Sequence, residues 1–393
     1  MKSKTSNKIN ILVYGAGEAG KQLVSSLEKN LEYKVVGFLD DNNKKENKFL
    51  LGKRIYLSSN IRKLSFSKNV NLLFLAMPSI NRSKRNQIIK KLSRYKIVVK
   101  TLPSISEIID GKVTVSDIKD LNIDDLLNRK QVKPDLKLLK KNINKKIVLV
   151  TGAGGSIGSE LCRQIIKLKP KKLLLLELNE FALYNIYEEL ITFDKNQKVV
   201  PLLADSQDQT KLEIIFETFK VNTVYHSAAY KHVPLVEENI CAGVKNNVFS
   251  TVAVAKASII KKVSNLVFIS SDKAVRPTNV MGASKRLAEL CVQGIYDTSK
   301  KKDVNFSIVR FGNVLNSSGS VVPLFRKQIS QGGPITVTHP EIIRYFMTIQ
   351  EAANLVIQSS NLAKGGDIFL LDMGNPVKIV NLAKQMIIQS GLT

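Results

Sequence analysis

The sequence predicts an α/β chain built from two doubly wound, mostly parallel sheets. Three observations carry this. A glycine-punctuated loop joins an apolar strand to a helix twice, within residues 9–27 and again within 147–168. After each loop, short apolar runs alternate with stretches of helical spacing, which is the signature of βαβ repetition. The hydrophobic share is 44%, ordinary for a globular chain, and no apolar run approaches the roughly 18–20 residues that a membrane span needs.

The first unit opens with INILVYGAGEAGKQLVSSL, read as strand, G-x-G-x-x-G loop (Gly15, Gly17, Gly20) and helix. YKVVGFLDD follows as a strand ending in Asp40 and Asp41. NLLFLAMPS (71–79) and KIVVKTLP (96–103) read as further buried parallel strands, with NRSKRNQIIKKLSRY as the helix between them. Residues 1–120 are therefore expected to form a Rossmann-like domain of the nucleotide-binding type. Gly15, Gly17, Gly20 and Asp40 leave two readings open: a nucleotide site, or a fold kept without a ligand. Residues 121–145 read as a charged connector, within a mixed stretch (104–145) of short strand and helix pieces.

The second unit, 146–393, begins with IVLVTGAGGSIG at 147–158. Gly152 permits the tight turn, Gly155 lets backbone approach a phosphate, and Gly158 lets helix pack close on strand. Glu177 ends the next apolar run, about 20 residues on, where a dinucleotide fold carries its ribose acceptor. KKLLLLELN, KVVPLLAD (ending in Asp205), TVYHSAA, NLVFISSD and FSIVRFGNVL are strands two to six. EFALYNIYEELIT, TKLEIIFETFK, one long helix over roughly 236–261, and MGASKRLAELCVQGIY lie between them. Strand ends at 205, 228 and 271 should line the carboxyl edge of the sheet, where such folds bind ligands. From about 315 the Gly and Pro clusters read as a smaller lobe that closes over a substrate.

The net charge is +27, and it is uneven: residues 1–146 hold 32 basic and 13 acidic residues, a net +19. The lysines are scattered, without interleaved aromatics or a recognition motif. They read as solvated faces, and no specific nucleic-acid partner is expected; an anionic membrane surface is the competing reading. Cys162, Cys241 and Cys291 are widely spaced, fit no metal-ligand pattern and read as reduced thiols. With no signal-peptide h-region at MKSKTSNKIN, a cytoplasmic location is expected.

The chemistry is concentrated in ISSDKAVRPTNVMGASKRLAE (269–289). A hydride-transfer site can be built from a helix-borne Tyr-x-x-x-Lys pair, because positions i and i+4 share one helix face. Lys285 holds the Lys position, but the position four earlier is Met281, and a thioether accepts no proton. Asp272 and Lys273 stand just after strand five. A plain dehydrogenation needs neither, whereas an elimination needs an acid for the departing hydroxyl and a base for the adjacent carbon. The competing reading is a solvated turn beside a core methionine.

TGAGGSIGSELCRQI, HSAAYKHVPLVEEN, SSDKAVRPTNVMGASKR, RFGNVLNSSGSVVPLF and GGPITVTHPEIIRYFMT span about 147–350. Through them the chain resembles the UDP-N-acetylglucosamine 4,6-dehydratases of bacterial surface-polysaccharide biosynthesis. These belong to the extended short-chain dehydrogenase superfamily, and Met281 in place of Tyr resembles their long branch. The resemblance implies that a tightly bound, recycled NAD takes hydride from sugar C4. Lys273 then removes the C5 proton, Asp272 protonates the departing 6-hydroxyl, and hydride returns to C6. Lys285 would bind the nicotinamide ribose and support loss of the C4 hydroxyl proton. Gly152, Gly155, Ser156, Ile157 and Gly158 would hold the pyrophosphate. Glu177 would take the adenosine ribose, which favours NAD over NADP, since a carboxylate repels a 2′-phosphate. Asp205 would face the adenine, with Ser206 beside it. Ala228, Ala229, Ser270 and Lys231 would flank cofactor or sugar. His232, Asn313, Ser320, Val321 and Arg344 would face the UDP-sugar, Arg344 as a diphosphate clamp. A homo-oligomer and proximity to the inner-membrane face are further expectations. The alternatives weighed are a UDP-sugar 4-epimerase and a catalytically silent nucleotide-sugar sensor.

Overall fold

Strands form where apolar residues run unbroken between turn residues, because a parallel strand is covered on both faces. Ile147–Thr151 (IVLVT) is buried throughout. Its alternate side chains enter different layers: Val148 and Val150 pack with Leu161 and Ile165 on one face, Ile147 and Leu149 with Leu212 and Phe216 on the other. A computed structural model describes residues 8–28, 30–80, 82–95, 97–102, 119–120, 132–193, 198–299, 303–390 and 392. Two compact units divide the chain: residues 1–129, 325–343 and 377–393, and residues 130–324 and 344–376.

The first unit holds β1 (Ile9–Tyr14), β2 (Tyr33–Asp40), β3 (Phe49–Leu50), β4 (Lys53–Leu57), β5 (Leu72–Leu75), β6 (Val98–Thr101) and β7 (Lys119–Asp120), in the order β3-β4-β2-β1-β5-β6-β7. β1 lies parallel between β2 and β5. The expected strands are present, and β3 and β4 are additions. They form an antiparallel hairpin over Leu51 and Gly52, both at positive φ. Of the expected connector, residues 132–145 are described, and the rest lies outside the described residues. The described part holds the helix Leu136–Lys141, capped by the Asp135 carboxylate on the amides of Lys137 and Leu138.

The second unit holds β8 (Ile147–Thr151), β9 (Lys172–Glu177), β10 (Val199–Leu203), β11 (Thr223–His226), β12 (Asn265–Ile269), β13 (Asn305–Arg310), β14 (Asn313–Val314), β15 (from Ile343 to Arg344, at the boundary), β16 (Phe346–Met347) and β17 (Asp367–Leu370). Its main sheet runs β10-β9-β8-β11-β12-β13-β17, with every pairing parallel. The order reverses between β8 and β11, so a crevice opens at their carboxyl ends.

Two stretches differ from expectation. The long helix over 236–261 is broken into Val233–Glu238, Ile240–Val244, a π-turn at Lys245–Phe249, and Ser250–Ile260. Asn239 leaves helical geometry at φ −134°, ψ 56°, and the π-turn turns Asn247 inward. The tail also returns to the sheet: helix Ile349–Leu362 and β17 follow, with β17 paired to β13 from Ser307↔Asp367 to Arg310↔Leu370. Gly365 makes that return feasible. It has φ +115°, and a Cβ there would meet the Tyr296 hydroxyl at 2.0 Å.

Candidate active site

The loop after β8 is shaped by its glycines. Gly152 adopts φ +63°, and a Cβ on it would lie 2.7 Å from the Ala228 backbone nitrogen. Gly155 is the N-cap of helix Ser156–Lys167, and no side chain caps that helix. The first-turn amides thus face the loop as ready donors for an anion. Glu177 ends β9 and binds back to this loop: Oε2 accepts from the Gly154 amide at 3.0 Å, and Oε1 accepts from the amides of Leu178 and Asn179. Ser156 Oγ accepts from the Ser318 amide at 3.1 Å, which ties the 315–320 loop to the glycine loop. Ile157 packs on the core. Asp205 accepts from the amide and side chain of Gln207, and Ser206 beside it is buried.

A buried chain of hydrogen bonds joins the ends of β8 and β11. Thr251 Oγ1 donates to the Asn247 carbonyl at 2.7 Å, so it must accept from His226 Nε2, 3.0 Å away. His226 Nδ1 is then the acceptor for the Thr151 hydroxyl at 2.7 Å. The directions assign the Nε2–H tautomer. Burial, then the charge of Lys285, pushes His226 down to about 3, so the ring is neutral.

Asp272 and Lys273 follow β12 after Ser270 and Ser271 and are partly buried. Lys273 Nζ donates to Asp272 Oδ1 at 3.1 Å and to Asn313 Oδ1 at 3.4 Å. Ser271 Oγ donates to the same Asp272 oxygen at 3.0 Å. Gly282 lets helix Val280–Thr298 approach this turn, since a Cβ there would meet the Lys273 carbonyl at 2.3 Å. Desolvation, then the charge of Lys273, holds Lys231 below its ordinary value.

Met281 is buried at 3% exposure. Lys285, one turn on, is buried as well. Its ammonium donates to the Ile269 carbonyl at 2.8 Å and lies 4.5 Å from the Phe268 ring centroid. Burial pushes it down to about 7, with Glu289 acting in the opposite direction.

The remaining candidates surround this core. Ser270 is buried against Glu289. Ala228 abuts Gly152, and Ala229 leads to Lys231. The His232 ring lies against Gly319, where a Cβ would sit 2.0 Å from Cε1. Asn313 pairs across β14–β16, its amide donating to the Tyr345 carbonyl at 3.1 Å, beside the exposed Arg344. Ser320 Oγ is buried and has no hydrogen-bond partner among the described residues, and Val321 begins helix Val321–Ser330.

In the first unit, Gly15 has φ +110° and Gly20 would clash with the Gly15 carbonyl if it carried a Cβ. A Cβ on Gly17 would meet nothing within 4 Å. Asp40 accepts from the amides of Ala16 and Asn42 and from Lys45 Nζ, all at 3.0 Å. Burial works to raise its carboxyl, and those donors outweigh it and hold it below its ordinary value.

The sequence reading missed Asn247, Thr151, His226 and Glu289. Asn247 has no exposed surface and binds both backbone groups of Tyr230, its Oδ1 accepting at 2.7 Å and its Nδ2 donating at 3.0 Å. Its Nδ2 also donates to Ser284 Oγ on the Met281 helix. It thus links the Lys231 loop to the Lys285 helix. The available signal was polarity inside an otherwise apolar helical stretch, as in KNNVFSTVAVA. Among the described residues, no cluster is arranged to hold a metal ion, and no helix is long and apolar enough to cross a membrane.

Residues 148–393 match the family model described as polysaccharide biosynthesis protein, and residues 7–98 match C2185-like, N-terminal. The capsular polysaccharide biosynthesis protein CapD of Staphylococcus aureus is 42% identical over 385 residues, 97% of this chain and 64% of CapD. The probable polysaccharide biosynthesis protein EpsC of Bacillus subtilis is 44% identical, again over 97% of this chain and 64% of the relative. The chain thus spans just under two thirds of the length of these two relatives. A UDP-N-acetylglucosamine 4,6-dehydratase (inverting) of Campylobacter jejuni is 30% identical over 61% of this chain and 70% of that protein. Among solved structures, Pen from Bacillus thuringiensis aligns with TM-score 0.60 and 35% identity, covering 63% of this chain and 74% of Pen. DesIV of Streptomyces venezuelae, a dTDP-glucose 4,6-dehydratase solved with NAD and DAU bound, aligns with TM-score 0.57 at 18% identity, covering 63% and 81%, a likeness of fold.

Proposed function

The chain belongs to the polysaccharide biosynthesis protein family, and from that premise we propose that it is a nucleotide-sugar 4,6-dehydratase. Its substrate is UDP-N-acetylglucosamine and its cofactor is NAD. The observation that carries this reading is the 3.1 Å bond between Lys273 and Asp272 just after β12, beside a buried Met281 that accepts no proton. A relative named for this dehydration, and a fold neighbour solved with NAD, support it.

The residues fit a dinucleotide. The crevice between β8 and β11, the uncapped helix start at Gly155 and the close approach at Gly152 leave room and donors for a pyrophosphate. The Glu177 carboxylate offers acceptors for a ribose. Lys285 supplies a cation for the second ribose. A nicotinamide bound there supplies the reversible hydride acceptor that oxidation at C4 and reduction at C6 require.

The elimination itself belongs to the chain. At rest, Lys273 and Asp272 form an ion pair; a proton passed along their bond leaves amine and carboxylic acid. A sugar that excludes water favours that neutral form, because desolvation disfavours both charges. The Lys273 amine takes the C5 proton, which an adjacent C4 ketone makes acidic. Asp272 gives its proton to the C6 oxygen, which leaves as water. The pair is then ammonium and carboxylate again, so the protons balance without solvent. Asn313, bonded to Lys273, orients its ammonium.

Incubation with UDP-N-acetylglucosamine in deuterated water, followed by NMR, tests the assignment. A 4-keto-6-deoxy product is expected. A C4-inverted sugar that keeps its 6-hydroxyl would identify an epimerase instead.

A further inference from the structure

Helix Val280–Thr298 carries a carboxylate that the reaction described above does not use. Glu289 has no exposed surface, and a buried carboxylate survives only when it is well paired. Four donor atoms meet it: Ser270 Oγ at 2.6 Å, Arg310 Nε at 2.7 Å, Arg310 Nη2, and Arg286 Nη1 at 3.0 Å. Burial works to raise its carboxyl, and the bonds from Arg310, Ser270 and Arg286 outweigh that and hold it below its ordinary value. The donors come from three places: just after β12, the end of β13 and the helix itself.

Lys285 stands one helical turn before Glu289, on the same face. Its ammonium holds the Ile269 carbonyl. Two consecutive residues, Ile269 at the end of β12 and Ser270 just after it, are therefore gripped by two side chains of one helix. Ser271, Asp272 and Lys273 come next. Their backbone hangs from β13 on either side of Arg310: the Ser270 amide donates to the Val309 carbonyl at 2.8 Å, and the Asp272 amide to the Phe311 carbonyl at 3.0 Å. Asp272 and Lys273 are themselves only partly buried, so packing alone holds them loosely. What fixes their turn is the anchor just before it and the strand beside it, and Glu289 binds both.

We propose that Glu289 is the positioning residue for the acid–base pair: by clamping Ser270 and Arg310 together it fixes the turn that presents Asp272 and Lys273. The pair's role rests on the dehydratase reading, but the clamp is a statement about the turn and is tested without turnover.

The test uses the full chain carrying Glu289→Gln. Glutamine keeps the shape and an acceptor for Ser270, but loses the charge that holds two guanidinium groups. Hydrogen exchange by mass spectrometry over 270–274 should accelerate, while exchange over the β8 core at 147–151 stays as in wild type. A shift of about 1 Å at reacting groups costs on the order of 100-fold, so kcat should fall by about ten-fold or more with KM and NADH affinity within about two-fold. Glu217→Gln, which breaks the exposed pair with Lys261, should change neither. Unchanged exchange over 270–274 in the folded variant overturns the clamp, and so does a rise spread equally over the whole unit. If Glu289→Gln does not fold, Ser270→Ala, which removes one donor and leaves both arginines paired, should give the same local rise, and its absence would equally refute the proposal. A wild type that binds NADH, shows the local exchange response and makes no dehydrated sugar would overturn the dehydratase reading and leave the clamp standing.

Discussion

Gly158 stands so close to Gly152 that a Cβ on Gly158 would lie 2.0 Å from the Gly152 carbonyl oxygen. The opposed atom is backbone and cannot swing away, so Gly158→Ala must push the helix off the strand. We expect a loss of about 1–3 kcal/mol of stability, as overpacking usually costs, and at least a ten-fold weaker NADH affinity. Gly294→Ala is the counterpart in helix Val280–Thr298. Its Cβ would meet nothing within 4 Å, so it should stabilise by about 0.5–1 kcal/mol through helix propensity. Urea denaturation of the two variants reads both signs.

The glycine loops, the sheet class and most strands were legible because each depends on local chemistry: turn residues, apolar runs and helical spacing. The polar network was not. Thr151 and His226 are 75 residues apart, and Ser270 and Glu289 are 19 apart on different elements. Nothing in either segment announces its partner, since burial and pairing are decided only when the sheet assembles. The broken helix at 239–249 was hidden for the same reason. Asn247 turns inward to meet the Tyr230 backbone, a tertiary contact that overrides helical periodicity.

His226 makes stability depend on acid. Its folded value is about 3, below the ordinary 6.5. Between those values the unfolded chain binds a proton that the folded chain refuses, so unfolding becomes easier as pH falls. The stabilisation is fully present above about pH 6.5 and is lost at up to about 1.4 kcal/mol per pH unit below it. Denaturation midpoints between pH 6.5 and 4 should fall, and His226→Gln should flatten that slope while lowering stability at pH 7. An equal slope in the variant would assign the effect to other groups.

Lys285 acts on the alkaline side. Its folded value of about 7 lies below the ordinary 10.5, so between pH 7 and 10.5 the unfolded chain carries the extra proton. Stability attributable to this residue therefore rises with pH across that window. Lys285→Met removes the buried ammonium. The variant should lose this rise, remain folded at pH 7 and lose turnover, which is the trade of stability against activity expected where a charge is buried for function. Thermal melts in cofactor-free protein at pH 7 and 9, with a product assay alongside, measure both.

The last relationship joins the two loops around the candidate UDP site. Gly319 has φ +67°, and a Cβ there would lie 2.0 Å from His232 Cε1. Two costs follow for Gly319→Ala: the left-handed backbone, about 1 kcal/mol for a non-glycine residue, and displacement of the imidazole. Only the second can be relieved by a further substitution. Gly319→Ala should weaken UDP affinity, and His232→Ala added to it should recover part of the loss. The double variant should therefore bind more tightly than the sum of the single changes predicts, by about 0.5–3 kcal/mol of coupling for residues in contact. Titration of UDP into the four proteins of that cycle measures the coupling. Additive losses would mean that His232 moves aside freely and does not set the position of the 315–320 loop.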